Sequence, residues 1–191
     1  MSEKKKLKIK IFDKEYSLLV ENEEIAKELA IYVNKVMEET KEELPDQPAQ
    51  TRAISACLNI AYDFFLEKNK SNAGVKVTPS GLQYEIIKEG TGKMPADSDM
   101  VKVHYHGTLV DGKVFDSSVD RGEPAQFPVG EVIPGWTEAL KMMPVGSKWK
   151  IYLPANLGYG ERAPQEIGPN KVLIFEVELL EIVPKTAAPA R

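Results

Sequence analysis

A short helix with one strongly apolar face constrains the fold of this chain more than any other segment. Pro134 suits the first turn of a helix, and the pair Met143-Pro144 marks its end. Large apolar side chains fall on one face of this helix, at positions i, i+3, i+7 and i+10: Ile133, Trp136, Leu140 and Met143. Another part of the chain must cover this face. We therefore expect Trp136 to point inward from the first turn, where it can form the apolar floor of a pocket.

The flanking segments predict an antiparallel sheet with one buried face. They are short, they alternate apolar and polar residues, and they are rich in Val, Ile, Tyr and Phe: 82–86, 101–107, 114–118, 149–153 and 172–180. Asp111-Gly112 is typical of a hairpin turn. We expect loops at 121–124 and 155–171 and a short strand at Phe127. One short helix laid across such a sheet gives an α+β fold.

The first 70 residues predict a separate small unit. Alternating residues at 7–11 and 16–20, on either side of a break at Asp13-Lys14, indicate a β-hairpin. Two helices should follow, at 23–43 with Asn22 as its cap and at 51–70. So few elements make a thin core. The apolar face at Phe64 and Phe65 either packs within the unit or forms a subunit interface, and the small size of the unit favours the interface and a homodimer.

Composition and charge exclude several classes of function. The chain is 42% apolar and 28% charged, and its net charge of −4 leaves no basic face for nucleic acid. It has no apolar run long enough for a signal sequence or a membrane span, so we expect no membrane association. Its one cysteine, Cys57, cannot form an internal disulfide, which is consistent with a reducing compartment. We therefore predict a cytoplasmic protein.

Motifs for nucleophilic, phosphate or metal chemistry are missing from the sequence. There is no Gly-x-Ser-x-Gly or His-Glu-x-x-His, and Cys57 has no histidine in its half of the chain. The segment 90–93 resembles a phosphate loop only superficially, because Met94 stands where Ser or Thr would bind magnesium. His104 and His106 share one face of a strand, but no third ligand is evident. We predict no metal site and no cofactor.

The N-terminal unit resembles a known head domain. The hairpin, together with Ala56-Cys57-Leu58-Asn59-Ile60-Ala61-Tyr62-Asp63, is similar to the head of ZapA, the bacterial FtsZ-ring-associated cell-division family. The resemblance covers 7–70 and implies a dimerising head with FtsZ as a partner, although the coiled coil of that family is missing after Lys70. We divide the chain into a head (1–70), a linker (71–75), a C-terminal domain (76–183) and a disordered tail (184–191).

The C-terminal domain carries seven motifs of a second family in order. They are Val103-His104-Tyr105, Val114-Phe115-Asp116-Ser117-Ser118, Arg121-Gly122-Glu123-Pro124, Val132-Ile133-Pro134-Gly135-Trp136, Met143-Pro144-Val145-Gly146-Ser147, Tyr159-Gly160 and Phe175-Glu176-Val177-Glu178-Leu179-Leu180. Over 81–183 they closely resemble the FKBP family of peptidyl-prolyl isomerases, particularly its bacterial members. The resemblance implies a five- or six-stranded antiparallel half-barrel wrapped around the short helix.

The same resemblance implies a set of site residues. Trp136 would form the floor of the pocket, and its walls would be Tyr105, Phe115, Val132, Ile133 and Phe175. The backbone N–H of Ile133 and the hydroxyl of Tyr159 would hold substrate carbonyls. Asp116 would lie near the rim, oriented by Tyr105 and Arg121. Phe127 and Ile167 would complete the substrate-binding residues, with Ile167 coming from the long loop.

Two positions depart from the family pattern. Ala125 stands where some members carry Phe, which opens one wall of the pocket. Gly168-Pro169 replaces a Pro-Pro pair, which loosens the tip of the long loop. Both departures bear on sequence preference and on the affinity for macrolide inhibitors such as tacrolimus and rapamycin.

These observations predict a two-domain enzyme, a peptidyl-prolyl cis-trans isomerase that acts on X-Pro bonds of protein substrates and assists their folding. An alternative is an FtsZ-ring-associated adaptor whose FKBP domain only binds proline-containing segments. A third hypothesis treats the head as a dimerisation device that has no connection with cell division.

Overall fold

The computed structural model describes residues 5–11 and 14–184, and these form two compact units, one ending at Phe64 and the other beginning at Phe65. This division lies within the second helix. The domain boundaries predicted at residues 70, 75 and 183 remain predictions. Asp13 of the predicted hairpin break and residues 185–191 of the predicted tail lie outside the described residues.

The first unit opens with the predicted β-hairpin. Strands β1 (Lys5–Ile11) and β2 (Lys14–Val20) pair antiparallel, with Leu7 opposite Leu18 and Ile9 opposite Tyr16, so that their apolar side chains share one face. Helix α1 (Glu23–Glu43) packs against β1. Its predicted cap is confirmed, because the Asn22 side chain accepts a hydrogen bond of 3.1 Å from the backbone N–H of Ile25.

Helix α2 (Ala49–Lys70) exposes much of its predicted apolar face. Ile54 and Phe64 keep 55% and 70% of their surface accessible, and Leu58 and Cys57 are exposed as well. None of the helices among residues 5–11 and 14–184 has the length and apolar character that crossing a bilayer requires.

The last turns of α2 belong to the second unit, where a buried amide network fixes them. Asn69 donates from its side chain to Gln83 Oε1 at 2.9 Å, and Gln83 donates to the carbonyl of Leu66 at the same distance. Asn72, in the predicted linker, donates to Asn69 Oδ1 at 3.1 Å. Asn69 and Gln83 are both buried, so these bonds satisfy polar groups that water cannot reach.

The second unit is built on an antiparallel sheet in the order β3-β4-β8-β9-β5-β6, with β7 also paired to β5. Along the central strands β5 and β9, every second side chain is buried over most of the strand, as the alternating sequence predicts. The α+β fold is confirmed. The sheet has seven strands rather than five or six, and the three shortest have two, four and four residues. The strands are β3 (Lys76–Val77), β4 (Gln83–Lys88), β5 (Met100–Leu109), β6 (Val114–Ser117), β7 (Ala125–Pro128), β8 (Lys148–Leu153) and β9 (Leu173–Val183).

The predicted end of strand β6 and the predicted start of the loop after it are wrong. Ser118–Arg121 form a one-turn helix, α3, where we expected a strand through Ser118 and a loop from Arg121. The Ser117 side chain caps this turn by accepting from the N–H of Asp120 at 3.1 Å, and Gly122 ends it at φ 76°, in the left-handed region. The predicted long loop contains two 3₁₀ turns, Ala155–Leu157 and Gly160–Arg162.

Helix α4 (Pro134–Met142) is the short helix that the sequence predicts. Trp136, Leu140 and Met143 are buried in one core with the inner face of the sheet, which confirms the predicted apolar stripe. A Cβ atom on Gly135 would come within 2.4 Å of the Leu153 side chain. Helix α4 can therefore lie close to β8 only because glycine occupies this position.

Candidate functional site

A cavity of about 290 Å³ opens beside the N-terminal end of α4. Strands β5, β6, β7 and β9, the segment before α4 and the long loop after β8 all contribute to its lining. The lining residues are Tyr105, Phe115, Asp116, Phe127, Glu131, Val132, Ile133, Trp136, Tyr159 and Phe175.

Trp136 forms the floor of this cavity, and three aromatic rings stand edge-on around it. Its ring centroid lies 5.3 Å from those of Tyr105 and Phe175 and 5.7 Å from that of Phe127, with interplanar angles between 81° and 85°. Such T-shaped contacts are favourable because the positive ring edge meets the negative ring face. These contacts fix the orientation of the rings, which together line an apolar concave surface.

Gly107 allows two walls of the cavity to approach each other. The rings of Phe115 and Phe175 meet at 5.4 Å and 88°. A Cβ atom on Gly107 would lie 2.9 Å from both rings, closer than side chains tolerate. Glycine at this point of β5 is therefore a packing requirement of the cavity.

A charged cluster stands at the rim. Tyr105 donates its hydroxyl proton to Asp116 Oδ2 at 2.5 Å, Arg121 Nη1 donates to Asp116 Oδ1, and Arg121 Nη2 donates to the Tyr105 hydroxyl oxygen at 2.9 Å. Helix α3 supplies Arg121 in the orientation that closes this triangle. The two negative oxygens of Asp116 are thus both bonded, and its charge is balanced by Arg121.

These contacts shift the pKa values of the groups at the cavity. Burial raises the pKa of Tyr105, and its bond to Asp116 raises it further. Burial also acts to raise the pKa of Asp116, but hydrogen bonds from Tyr105 and Arg121 outweigh it and hold that pKa below its ordinary value. Burial, aided by the charge of Asp116, raises the pKa of Tyr159. At neutral pH the cavity lining therefore contains an ionised Asp116 and the neutral phenols of Tyr105 and Tyr159.

Besides the buried indole N–H of Trp136, two donors at the cavity have no partner within the described part of the chain. They are the backbone N–H of Ile133 and the hydroxyl of Tyr159. The carbonyl of Ile133 is engaged, since it accepts from the N–H groups of Trp136 and Thr137 at the start of α4. Both donors are available to a carbonyl oxygen of a bound molecule.

The structure brings most of the predicted site residues together. All of them line the cavity except Arg121, which acts through Asp116 and Tyr105, and Ile167, which is 7% exposed and packs in the core. Their catalytic and substrate-binding roles remain predictions. Sequence reasoning did not select Glu131, although it directly precedes the Val132-Ile133 motif in a 3₁₀ turn, Val129–Glu131.

The two family departures have visible structural counterparts. Ala125 lies half-buried against the core beside Phe127. Gly168 has φ 79°, which proline cannot adopt because its ring fixes φ near −65°. The backbone at this point of the loop therefore follows a path that the Pro-Pro sequence would exclude.

The outer face of the sheet carries the two histidines. His104 Nδ1 lies 3.1 Å from Ser118 Oγ, and His106 Nδ1 lies 2.9 Å from Ser117 Oγ. Across residues 5–11 and 14–184, no three His, Cys, Asp or Glu side chains are grouped closely enough to hold a metal ion.

Two family models match the chain, one over its first part and one over its second. The model described as FKBP-type peptidyl-prolyl cis-trans isomerase matches residues 91–180, and the model described as cell division protein ZapA matches residues 7–86. The second match extends into β4, beyond the helices of the head.

Curated proteins of the first family resemble the chain over most of its length. It is 50% identical over 161 residues to the FKBP-type peptidyl-prolyl cis-trans isomerase FkpA of Aeromonas hydrophila, which covers 84% of this chain and 58% of that protein. It is 59% identical over 120 residues to the FKBP-type 22 kDa peptidyl-prolyl cis-trans isomerase of Escherichia coli K12, which covers 62% of this chain and 58% of that protein. The chain thus spans little more than half of the length of these relatives.

Solved structures show the same relationship. The crystal structure of FkpA from Escherichia coli aligns with a TM-score of 0.65 at 33% identity, covering 84% of this chain and 94% of that chain. A peptidyl-prolyl cis-trans isomerase from Pseudomonas syringae aligns with a TM-score of 0.63 at 36% identity, covering 72% of this chain and 97% of that one. On these matches and on the cavity at α4, the chain belongs to the FKBP-type peptidyl-prolyl cis-trans isomerase family.

Proposed function

We propose that the chain catalyses cis-trans isomerisation of X-Pro peptide bonds in protein substrates and thereby assists their folding. The observation that carries this proposal is the cavity floored by Trp136 and walled by edge-on aromatic rings, with unpartnered donors at its mouth. Such a surface suits the pyrrolidine ring, which is apolar and compact. Uncatalysed isomerisation takes tens to hundreds of seconds and can limit folding, so an enzyme for it has a clear use.

The chemistry of this reaction requires no nucleophile. Rotation about a peptide C–N bond faces a barrier of about 18–20 kcal/mol, because resonance gives that bond partial double-bond character. The planar form is charge-separated, and an apolar cavity solvates it less well than water does. Transfer into the cavity therefore destabilises the planar ground state more than the twisted transition state, which lowers the barrier.

The unpartnered donors at the cavity supply the orientation. The N–H of Ile133 and the hydroxyl of Tyr159 would bind carbonyls of the substrate on either side of the rotating bond. Holding the flanking carbonyls leaves the X-Pro bond free to turn while the proline ring stays on Trp136. The neutral state of Tyr159 keeps its proton available for this bond.

Turnover of a short X-Pro peptide tests the proposal directly. The full chain should accelerate the cis-trans relaxation of such a peptide, measured by NMR exchange, and tacrolimus or rapamycin should compete with it for the cavity. A chain that binds the peptide without accelerating its relaxation would contradict the enzymatic function. Since Ala125 and Gly168 depart from the family pattern, we expect macrolide affinity to differ from that of family members with Phe and Pro at these positions.

The match of the ZapA model to residues 7–86 favours a second candidate function. In this alternative, the chain is an adaptor at the FtsZ ring, and its FKBP domain only binds proline-containing segments. Co-sedimentation with FtsZ polymers distinguishes the two functions, since the adaptor should pellet with the polymers and an isomerase with an unrelated head should stay in solution.

We also propose that the head forms a homodimer. The support for it is the exposed apolar side chains of α2, especially Ile54, Leu58 and Phe64, in a unit too small to bury them itself. The third hypothesis, a head that dimerises without any division role, shares this expectation.

A cytoplasmic location is a further part of the proposal. Its support is the single cysteine, Cys57, which is exposed and has no partner for an internal disulfide. Fractionation of cells that produce the chain at its native level, with probes for each compartment, tests it.

A further inference from the structure

Glu131 is the one residue of the cavity lining, within the described chain, whose negative charge has no counter-ion. Asp116, the other acidic residue there, is paired with Arg121. Glu131 is exposed and takes part in no ion pair or side-chain hydrogen bond among the described residues. No lysine or arginine lines the cavity. The mouth of the cavity therefore carries an uncompensated negative charge.

The backbone beneath Glu131 is held from several sides. The N–H of Val129 donates to the carbonyl of Asp99 at 3.0 Å, and the N–H of Gly130 donates to the carbonyl of Asp97 at 3.1 Å. The hydroxyl of Thr137, on α4, donates to the carbonyl of Val129 at 2.7 Å. Val129 itself is fully buried. Glu131 therefore projects from a turn whose backbone is fixed, beside the other residues of the cavity lining.

Glu131 is also next to the residues that would contact the substrate backbone. It precedes Val132, which lines the cavity, and lies two positions before Ile133, whose N–H has no partner in the described chain. A peptide bonded to that N–H would pass within reach of the Glu131 carboxylate. A charge in this position attracts a cationic side chain of the peptide and repels an anionic one.

We propose that Glu131 is a specificity-determining residue, which makes the cavity prefer proline-containing segments with a lysine or arginine close to the proline over segments with an acidic residue there. This proposal rests on the isomerase function proposed above and adds the class of substrate. The Glu131 side chain makes no hydrogen bond or ion pair among the described residues, so its replacement should leave the protein folded.

The test is a comparison of kcat/KM for tetrapeptides that differ only in one side chain, Lys, Leu or Glu, placed one residue before, one after or two after the proline. The wild-type full chain should favour Lys over Glu at one of these positions by about two- to fivefold, the range of an exposed charge pair. Glu131→Gln should bring this ratio towards one, and Glu131→Lys should invert it. The preference should also weaken as salt is added, since screening acts on exposed charges.

Glu89→Gln is the matched control, because Glu89 is exposed in the turn after β4 and does not line the cavity. It removes the same charge and should leave the Lys-to-Glu ratio at its wild-type value. A ratio that is equal in wild type and Glu131→Gln at all three positions would overturn the proposal, as would an equal loss of preference in Glu89→Gln.

The Leu peptide separates this inference from the isomerase function. If the Leu peptide is turned over and the ratio does not depend on Glu131, only the inference fails. If no peptide is turned over, the isomerase function fails, and peptide affinities measured by NMR titration then decide the role of Glu131 by the same ratios and the same variants.

Discussion

At the scale of single residues, the floor of the cavity gives the sharpest prediction. Trp136→Ala should reduce kcat/KM for an X-Pro peptide by at least tenfold and weaken macrolide binding, because it removes the ring that Tyr105, Phe127 and Phe175 contact. Trp136→Phe should do less harm. Loss of a large buried aromatic typically costs about 3–5 kcal/mol of stability, so the free energy of unfolding has to be measured alongside turnover.

Trp149 offers the matched control for that experiment. It is as buried as Trp136 but stacks on Tyr84 at 4.5 Å, and it does not line the cavity. Trp149→Phe should lower stability while the folded enzyme keeps its turnover. A folded Trp136→Ala protein with unchanged turnover would rule out this cavity as the active site.

The rim cluster predicts how the protein responds to pH. Turnover should be constant between about pH 5 and 9, because Asp116, with its lowered pKa, remains ionised and Tyr105 and Tyr159, with their raised pKa values, remain neutral. The stabilisation from ionised Asp116 is fully present above its unfolded pKa of about 3.9, and it is lost as pH falls through the lowered folded value.

The free energy of unfolding of Asp116→Asn and wild type, measured as the pH is lowered, checks the direction of this pH dependence. The variant should be less stable than wild type at neutral pH, and the difference should shrink below about pH 4. Asp46→Asn, which removes an exposed carboxylate between α1 and α2, should leave the acid transition of the second unit where it is. A bell-shaped activity profile centred near neutrality would contradict the assignment of protonation states.

At the scale of elements, the buried amide network holds the last turns of α2 against β4 within the second unit. Gln83→Leu should lower the free energy of unfolding by about 1–3 kcal/mol, because it leaves the buried side-chain NH2 group of Asn69 without its acceptor and removes the bond to the Leu66 carbonyl. Tryptophan fluorescence reports this unit alone, since both tryptophans of the chain lie in it. Gln126→Leu, on the exposed side of β7, should have little effect, and equal losses in both variants would contradict the role of the network.

Elements also show how much of the structure the sequence determines. Helix α4 and its stripe follow from 3.6-residue periodicity, and Asn22 is a cap that the sequence alone identifies. Helix α3 escaped prediction because its four residues are too few for a periodic pattern, although Ser117 followed three residues later by Asp120 was a usable capping signal. From the sequence alone, Asn69 and Gln83 would be predicted to lie at the surface, because their burial depends on a hydrogen bond between residues that are distant in sequence.

Most residues of the candidate site could also be predicted from sequence patterns, and the exceptions depend on the three-dimensional arrangement. Its aromatic wall residues occur in motifs, and the strands that carry them bring them together. Ile167 differs, because the N–H of Ile167 bonds to the carbonyl of Pro164 in a turn that leads its side chain into the core. Glu131 carries no apolar signal, so only the three-dimensional arrangement could assign it to the cavity.

At the scale of the whole molecule, the exposed face of α2 predicts assembly. The full chain should sediment at twice its monomer mass of 21.3 kDa, because association would cover apolar side chains that the head leaves in water. Phe64→Asp should shift the protein towards the monomer, since an unpaired charge in an apolar interface is strongly unfavourable. Phe64→Leu, which keeps the apolar character, should remain dimeric. A well-folded wild type that stays monomeric across the micromolar range would exclude the dimer.

Gly107 limits how the cavity could adapt to other ligands. Because any side chain there would collide with Phe115 and Phe175, the distance between these two walls is fixed and mutation at residue 107 cannot retune it. We expect adaptive change instead outside the lining residues, at Ala125, which lies two residues before Phe127 on β7, or along the loop that contains Gly168. Laboratory evolution towards a bulkier ligand should therefore accumulate substitutions at those positions and retain glycine at 107 in every functional lineage.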